Sequence, residues 1–118
     1  MVQLEFVVGS QDTATSLGSG DVDVLATPRL LAWLEAATVA EAAPSLAAGQ
    51  TTVGTRVELE HLAPSKVGTV ITVTADVSHR DGRLLRFAVA AQDSSGRLVG
   101  SGTVTRVVVD RERLEHRG

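Results

Sequence analysis

The chain has 118 residues, 43% hydrophobic and 21% charged, the balance of one folded domain with enough apolar side chains to build a core. A formal charge of -3 argues against the concentrated basic face of a nucleic-acid binder, and the lack of cysteine excludes disulfides, thiol nucleophiles and Cys-based metal sites. No stretch reaches the roughly 18 apolar residues of a membrane span, and MVQLEFVV lacks the basic start and long apolar run of a leader, so a cytoplasmic protein is expected.

Val2, Leu4, Phe6 and Val8 alternate with Gln3, Glu5 and Val7, the period of a half-buried strand. GSQDTATSLGSGD reads as a loop with room for a short strand at Thr13 to Leu17. Asp21 and Asp23, at and just after its end, are expected as solvated loop charges. ATPRLLAWLEAATVAEAAPSL then predicts a helix from about Pro28 to about Ala42. Thr27 suits the N-cap, Pro28 suits the first helical position, and Pro44 and Gly49 mark the stop.

From Thr52 onward the pattern is strand. Thr55, Val57, Leu59 and His61 share one face, and APSKVG breaks the run. Ile71, Val73, Ala75 and Val77 form the next inward face. Asp81-Gly82 signals a two-residue type I′ hairpin, in which both positions take positive φ. Leu85, Phe87, Val89 and Ala91 return inward, and RLVGSGTVTRVVVD makes the last strand. The charged tail, residues 110–118, is expected to fray. Nothing divides the chain, which reads as a single domain over residues 1–118.

The helix decides the architecture. At about 100° per residue, Arg29, Glu35 and Glu41 fall roughly 120° apart, so the helix has no polar side to give to water. A helix resting on one face of a two-layer sandwich would have one. The alternative is an α+β hot-dog fold, with one central helix wrapped by a curved antiparallel sheet. A sheet of this length leaves an edge strand and an uncovered face, so pairing with a second copy is expected: a homodimer, or a higher oligomer.

Two side chains within these apolar patterns carry possible chemistry. Glu35 interrupts LLAWLEAATVA, where a lone carboxylate reaches solvent, pairs with an arginine, or serves as a general base or nucleophile. His61 lies on the strand face that meets the helix, as a core imidazole or as the acid–base partner of that carboxylate. The Thr27 hydroxyl at the helix start is explained by capping, and equally lies where partial positive charge favours an oxyanion. Gly54, inside a strand, marks a bulge or a place where a ligand meets the backbone. GSG at Gly100 to Gly102 is too short and wrongly placed for a phosphate loop.

ATPRLLAWLEAA, TTVGTRVELEHLAPSKVG and GSGTVTR together resemble the fluoroacetyl-CoA thioesterase group of hot-dog proteins, over about Val24 to Val109. That family has a threonine before the central helix, a glutamate eight residues on and a histidine 26 residues further, a spacing met here by Thr27, Glu35 and His61. The resemblance implies that these three are catalytic, that Gly54 binds the acyl group or its carbonyl, and that the substrate is an acyl-CoA. It implies no cofactor and no metal beyond coenzyme A as part of the substrate. GSGDVDVLAT lacks the phenylalanines that form the lid in fluoroacetyl-selective members, and Pro28 stands where a glycine is expected. Hydrolysis of a small acyl thioester without fluoroacetyl selectivity is the expectation. A non-catalytic binder of acyl-CoA or another small apolar ligand, and an enoyl-CoA hydratase-like lyase, are the alternatives. Lys66, Arg83 and Arg106 are the charges available to the coenzyme A phosphates.

Overall fold

Alternation and helical spacing yield five strands and one long helix. The computed structural model describes residues 1–117, with side chains to residue 115. In chain order the elements are β1 (Val2–Val7), a 3-10 turn (Ser10–Asp12), α1 (Ala14–Leu17), α2 (Thr27–Ala42), a second 3-10 turn (Ala43–Ser45), β2 (Gln50–His61), β3 (Val70–Asp81), β4 (Leu84–Asp93), β5 (Leu98–Asp110) and α3 (Arg111–Arg117). The strands form one antiparallel sheet in the order β1-β3-β4-β5-β2, so β1 and β2 are its edges.

α2 lays Leu30, Trp33, Leu34, Ala37 and Thr38 against the apolar face of this sheet. Ile71, Val73 and Ala75 of β3, and Leu85, Phe87, Val89 and Ala91 of β4, meet it there, all buried as the alternation predicts. Phe6 of β1 stacks on Trp33 with ring centroids 4.7 Å apart and planes 2° from parallel. Thr38 is tolerated in the core because its hydroxyl donates to the Glu35 carbonyl one turn back, at 2.7 Å. The sheet grips α2 from one side only. On the opposite flank Ala32 is exposed and Val39 is 47% exposed, apolar surface that one protomer leaves open.

Several local expectations are corrected. The segment after β1 contains no strand at Thr13 to Leu17. Thr13 accepts from the Ser16 N–H at 3.2 Å and so caps the one-turn helix α1, which ends on Gly18 in the left-handed region. The hairpin between β3 and β4 pairs Asp81 with Leu84, so its loop residues are Gly82 and Arg83. Only Gly82 has positive φ, which rules out a type I′ turn. Val77 is 44% exposed, beside a register shift between Val77 and His79. The tail coils into α3, as a run of good helix formers can, while Gly118 lies outside the described residues.

A bulge in β2 matters more. Its pairing with β5 shifts between Gly54 and Arg56, leaving Thr55 as the extra residue. One inserted residue reverses the side-chain parity of a strand. Thr55 is exposed, and Gly54 and the buried Thr52 take the face toward the helix. The Gly100–Gly102 segment is explained by close packing of β5. A Cβ on Gly102 would run into the Glu58 carbonyl, and one on Gly100 would stand 2.9 Å from Leu30 Cδ2.

Candidate active site

The start of α2 and the end of β2 meet at one point. Ala26, not Thr27, is the cap residue of α2 and makes no side-chain cap bond; Thr27 is the first helical residue and Pro28 the second. The Thr27 hydroxyl is therefore free of the capping role expected for it. It lies 2.7 Å from Nδ1 of His61, the last residue of β2. Backbone bonds fix both sides of this contact. Leu25 N–H donates to the Ser65 carbonyl at 2.8 Å and Ala26 N–H to the Asp12 carbonyl at 2.9 Å. Beyond His61, Leu62 N–H and Ala63 N–H both donate to the Val99 carbonyl. Arg29, one turn into α2, pairs with the buried Asp12 at 2.9 Å, a contact of charges whose Nε–H is not aligned as a hydrogen bond.

Burial holds the His61 imidazole below the ordinary histidine pKa, an effect partly opposed by the Ala63 backbone. That backbone nevertheless makes no hydrogen bond of good geometry to Nε2, which is enclosed and without a partner among the described residues. A ring kept neutral has one donor and one acceptor nitrogen. With the proton on Nε2, Nδ1 accepts from the Thr27 hydroxyl, the arrangement of an oxygen nucleophile beside its base. Thr27 and His61 border a cleft of about 260 Å³ whose other walls include Ala14, Val24, Leu25 and Pro64.

Glu35 and Gly54 form a second centre. The Glu35 side chain is about one-third exposed, and its Oε2 lies 3.4 Å from Arg106 Nη1. Arg106 comes from β5, opposite Gly54 in the ladder, and its side chain is 8% exposed. It donates from Nε to Thr52 Oγ1 at 2.8 Å and from Nη2 to the Thr52 carbonyl at 3.2 Å. Burial lowers the guanidinium pKa and the Glu35 carboxylate works against that shift; an arginine remains charged regardless. Gly54 leaves room for the carboxylate, since a Cβ there would stand 2.9 Å from Glu35 Oε2.

The four expected site residues thus assemble as two pairs, Thr27 with His61 and Glu35 with Gly54. Thr27 and Glu35 are eight residues apart on one continuous helix, a rise of about 12 Å. Among the described residues no hydrogen bond joins the pairs. Of the charges considered for phosphate binding, Arg106 is buried and committed to Thr52 and Glu35. Arg83 faces Asp110 at 3.7 Å and borders a separate cleft of about 180 Å³ with Val108 and Leu114. Lys66 alone of the three lies beside the Thr27–His61 end, its backbone bridged to Val24. Arg106, Thr52 and Asp12 were not anticipated as parts of this framework. An arginine inside TVTRVVV was the available signal, since a charge in an apolar strand requires a partner. No three His, Asp or Glu side chains among the described residues cluster as a metal-ligand set.

Known proteins match both sequence and fold. The family model of the fluoroacetyl-CoA-specific thioesterase matches residues 8–112. A fluoroacetyl-CoA thioesterase of Streptantibioticus cattleyicolor is 35% identical over 92 residues, which cover 78% of this chain and 66% of that protein. The match therefore spans just under two thirds of that relative's length. A crystal structure of a point mutant of the fluoroacetyl-CoA-specific thioesterase FlK, in complex with fluoroacetate and CoA, superposes with a TM-score of 0.92 at 30% identity, covering 99% of this chain and 95% of that one. A thioesterase-superfamily protein of Thermus thermophilus gives 0.90 at 28% identity, covering 98% and 85%. A hot-dog-like protein of Thermanaerovibrio acidaminovorans gives 0.88 at 28%, with the same coverages. The helix-and-sheet arrangement is the hot-dog fold.

Proposed function

Because the chain belongs to the fluoroacetyl-CoA-specific thioesterase family, we propose that it hydrolyses the thioester of a small acyl-CoA at a site shared between two copies of itself. The observation that carries this reading is the 2.7 Å contact between Thr27 Oγ1 and His61 Nδ1, a hydroxyl and a neutral base at the wall of an open cleft. The neighbour crystallised with fluoroacetate and CoA supports an acyl-CoA as the ligand class.

The chemistry follows from the two pairs. His61 takes a proton as the Thr27 oxygen, or a water held by it, adds to the thioester carbon. The carbon–sulfur bond then breaks, and His61 returns the proton to the coenzyme A sulfur. Where Thr27 attacks, a water next adds to the acyl-Thr27 ester, its proton passing through His61 to the Thr27 oxygen as that carbon–oxygen bond breaks. Glu35, anchored beside Arg106, is the acceptor that orients the hydrolytic water. The products are a carboxylic acid and free coenzyme A thiol.

Dimerisation supplies the missing proximity. β2 is an edge strand, Val57 on it is exposed, and Ala32 and Val39 are exposed on the open flank of α2. A two-fold axis crossing β2 between Val57 and Glu58, both exposed, pairs the strand antiparallel with its copy and sets His61 beside the partner subunit's Gly54. Each Thr27–His61 pair then faces the Glu35 centre of the other copy. Fluoroacetyl selectivity is not expected, because the segment leading to Thr27 offers no phenylalanine to close over the acyl group.

Incubation with a panel of short acyl-CoA esters, following free thiol, tests this function. Thiol release that is lost in Glu35→Gln and in His61→Ala is expected. Hydrolysis that survives in both variants removes the site. Binding without release indicates a carrier, and loss of the crotonyl-CoA double bond without thiol indicates a lyase.

A further inference from the structure

Adjoining the Thr27–His61 cleft is a second one, of about 370 Å³, bordered by Ser65, Lys66, Thr69, Asp93 and Arg97. Val24 and Pro64 border both, so the two clefts adjoin along these residues. We propose that this second cleft binds a phosphate group of the coenzyme A moiety while the thioester lies at Thr27 and His61, an inference that rests on the acyl-CoA reading.

Three observations carry it. First, the charge balance of the cleft is positive. Asp93 is spent on its own turn: its Oδ1 accepts from Ser95 N–H at 3.0 Å, Ser95 Oγ at 2.6 Å and Arg97 N–H at 3.0 Å, and its Oδ2 lies 3.4 Å from Arg97 Nε. Lys66 is exposed and makes no ion pair among the described residues. Second, Ser65, 3% exposed, closes the floor, and its Oγ has no hydrogen-bond partner among the described residues. An unpaired buried hydroxyl is costly, and Ser65 lines the cleft in which a phosphate oxygen would give this one a partner. Third, the position is held firmly. Ser65 accepts from Leu25 N–H at 2.8 Å, Lys66 is bridged to Val24, and Arg97 Nη2 donates to the Pro64 carbonyl at 3.1 Å. Five residues of chain from His61 to Lys66 reach at most about 17 Å, a span that the pantetheine arm can match.

The test uses the full chain and the Lys66→Ala, Lys66→Arg and Lys66→Glu variants, all at an exposed position. Calorimetric titration with free CoA reads binding independently of turnover. Lys66→Ala is expected to weaken CoA binding about tenfold, Lys66→Glu further, and Lys66→Arg to restore most of it. Dephospho-CoA and pantetheine assign the contact: loss of the Lys66 dependence with dephospho-CoA indicates the 3′-phosphate, and loss only with pantetheine indicates the diphosphate. In turnover, KM for an acyl-CoA rises with kcat unchanged, and the N-acetylcysteamine thioester of the same acid is hydrolysed equally by all four proteins. CoA affinity unchanged in Lys66→Ala and Lys66→Glu overturns the phosphate site while leaving hydrolysis intact. Lys66-dependent CoA binding with no thiol release overturns the hydrolase reading and keeps the phosphate site. Absence of CoA binding in every protein overturns both.

Discussion

Gly54 faces the carboxylate of Glu35, and a Cβ at that position would stand 2.9 Å from Glu35 Oε2 and 3.4 Å from Arg106 Nη1. The crowded atoms are the ends of long side chains, so Gly54→Ala displaces the carboxylate rather than the strand. The variant is expected to keep its stability to within about 1 kcal/mol and to lose on the order of 100-fold in kcat/KM. Urea unfolding and thiol release on the same preparation check the pair of outcomes. A Gly54→Ala enzyme of full activity shows that the carboxylate need not sit where it does.

Arg106 is the reason that Glu35 sits there. Removing it strips three hydrogen-bond contacts from Thr52 and Glu35 in a mostly buried setting. Arg106→Ala is expected to destabilise the fold by about 2 kcal/mol or more, through the unpaired Thr52 groups and the lost packing. Arg106→Lys recovers charge but not the two-pronged grip on Thr52, so it regains only part of the stability in urea titrations. Full recovery by lysine would reduce Arg106 to a point charge.

The His61 imidazole, pushed below its ordinary pKa by burial, must be neutral to act as a base. The acid limb of the kcat/KM profile is therefore expected to have its inflection below about 6.5. Folding stability carries the same sign. As pH falls through 6.5 the unfolded chain takes up the proton first, so the stability contribution of His61 is complete above 6.5. It is lost as pH falls from there toward the folded-state value. NMR titration of the ring against pH reads the shift directly; an inflection above 6.5 contradicts the buried neutral base.

Helical and strand periods were the legible part of the sequence. Leu85, Phe87, Val89 and Ala91 were placed inward by alternation alone and are buried in the structure, and the helix was bounded to within a residue at its start. Three things escaped for distinct physical reasons. A bulge is one residue long and leaves no compositional mark, so Thr55 was assigned the face that Gly54 and Thr52 occupy. Capping preferences describe the residue type, not the competing partner, so Thr27 was read as a cap when a histidine 34 residues away holds its hydroxyl. Arg106 and Glu35 lie 71 residues apart, and no local pattern joins a charge on one strand to a carboxylate on a helix. Glu35 and His61 stand out by their places in apolar patterns, and Thr27 by its place at the helix start. The likeness to a family joins them as one set, and helix rise separates Thr27 from Glu35. Only the folded chain shows Thr27 paired with His61 and Glu35 with Arg106.

On the proposed mechanism, the His61 imidazole and the Glu35 carboxylate reach the same thioester from different copies of the chain. Mixing two variants after subunit exchange tests it: Glu35→Gln and His61→Ala, each expected to be nearly inactive alone. A heterodimer then contains one site with both groups intact and one with neither. At random assortment the mixture is expected to recover about one quarter of the unmutated activity, half of the dimers having one of two sites restored. A mixture as inactive as its components, with exchange verified by mass, contradicts the shared site.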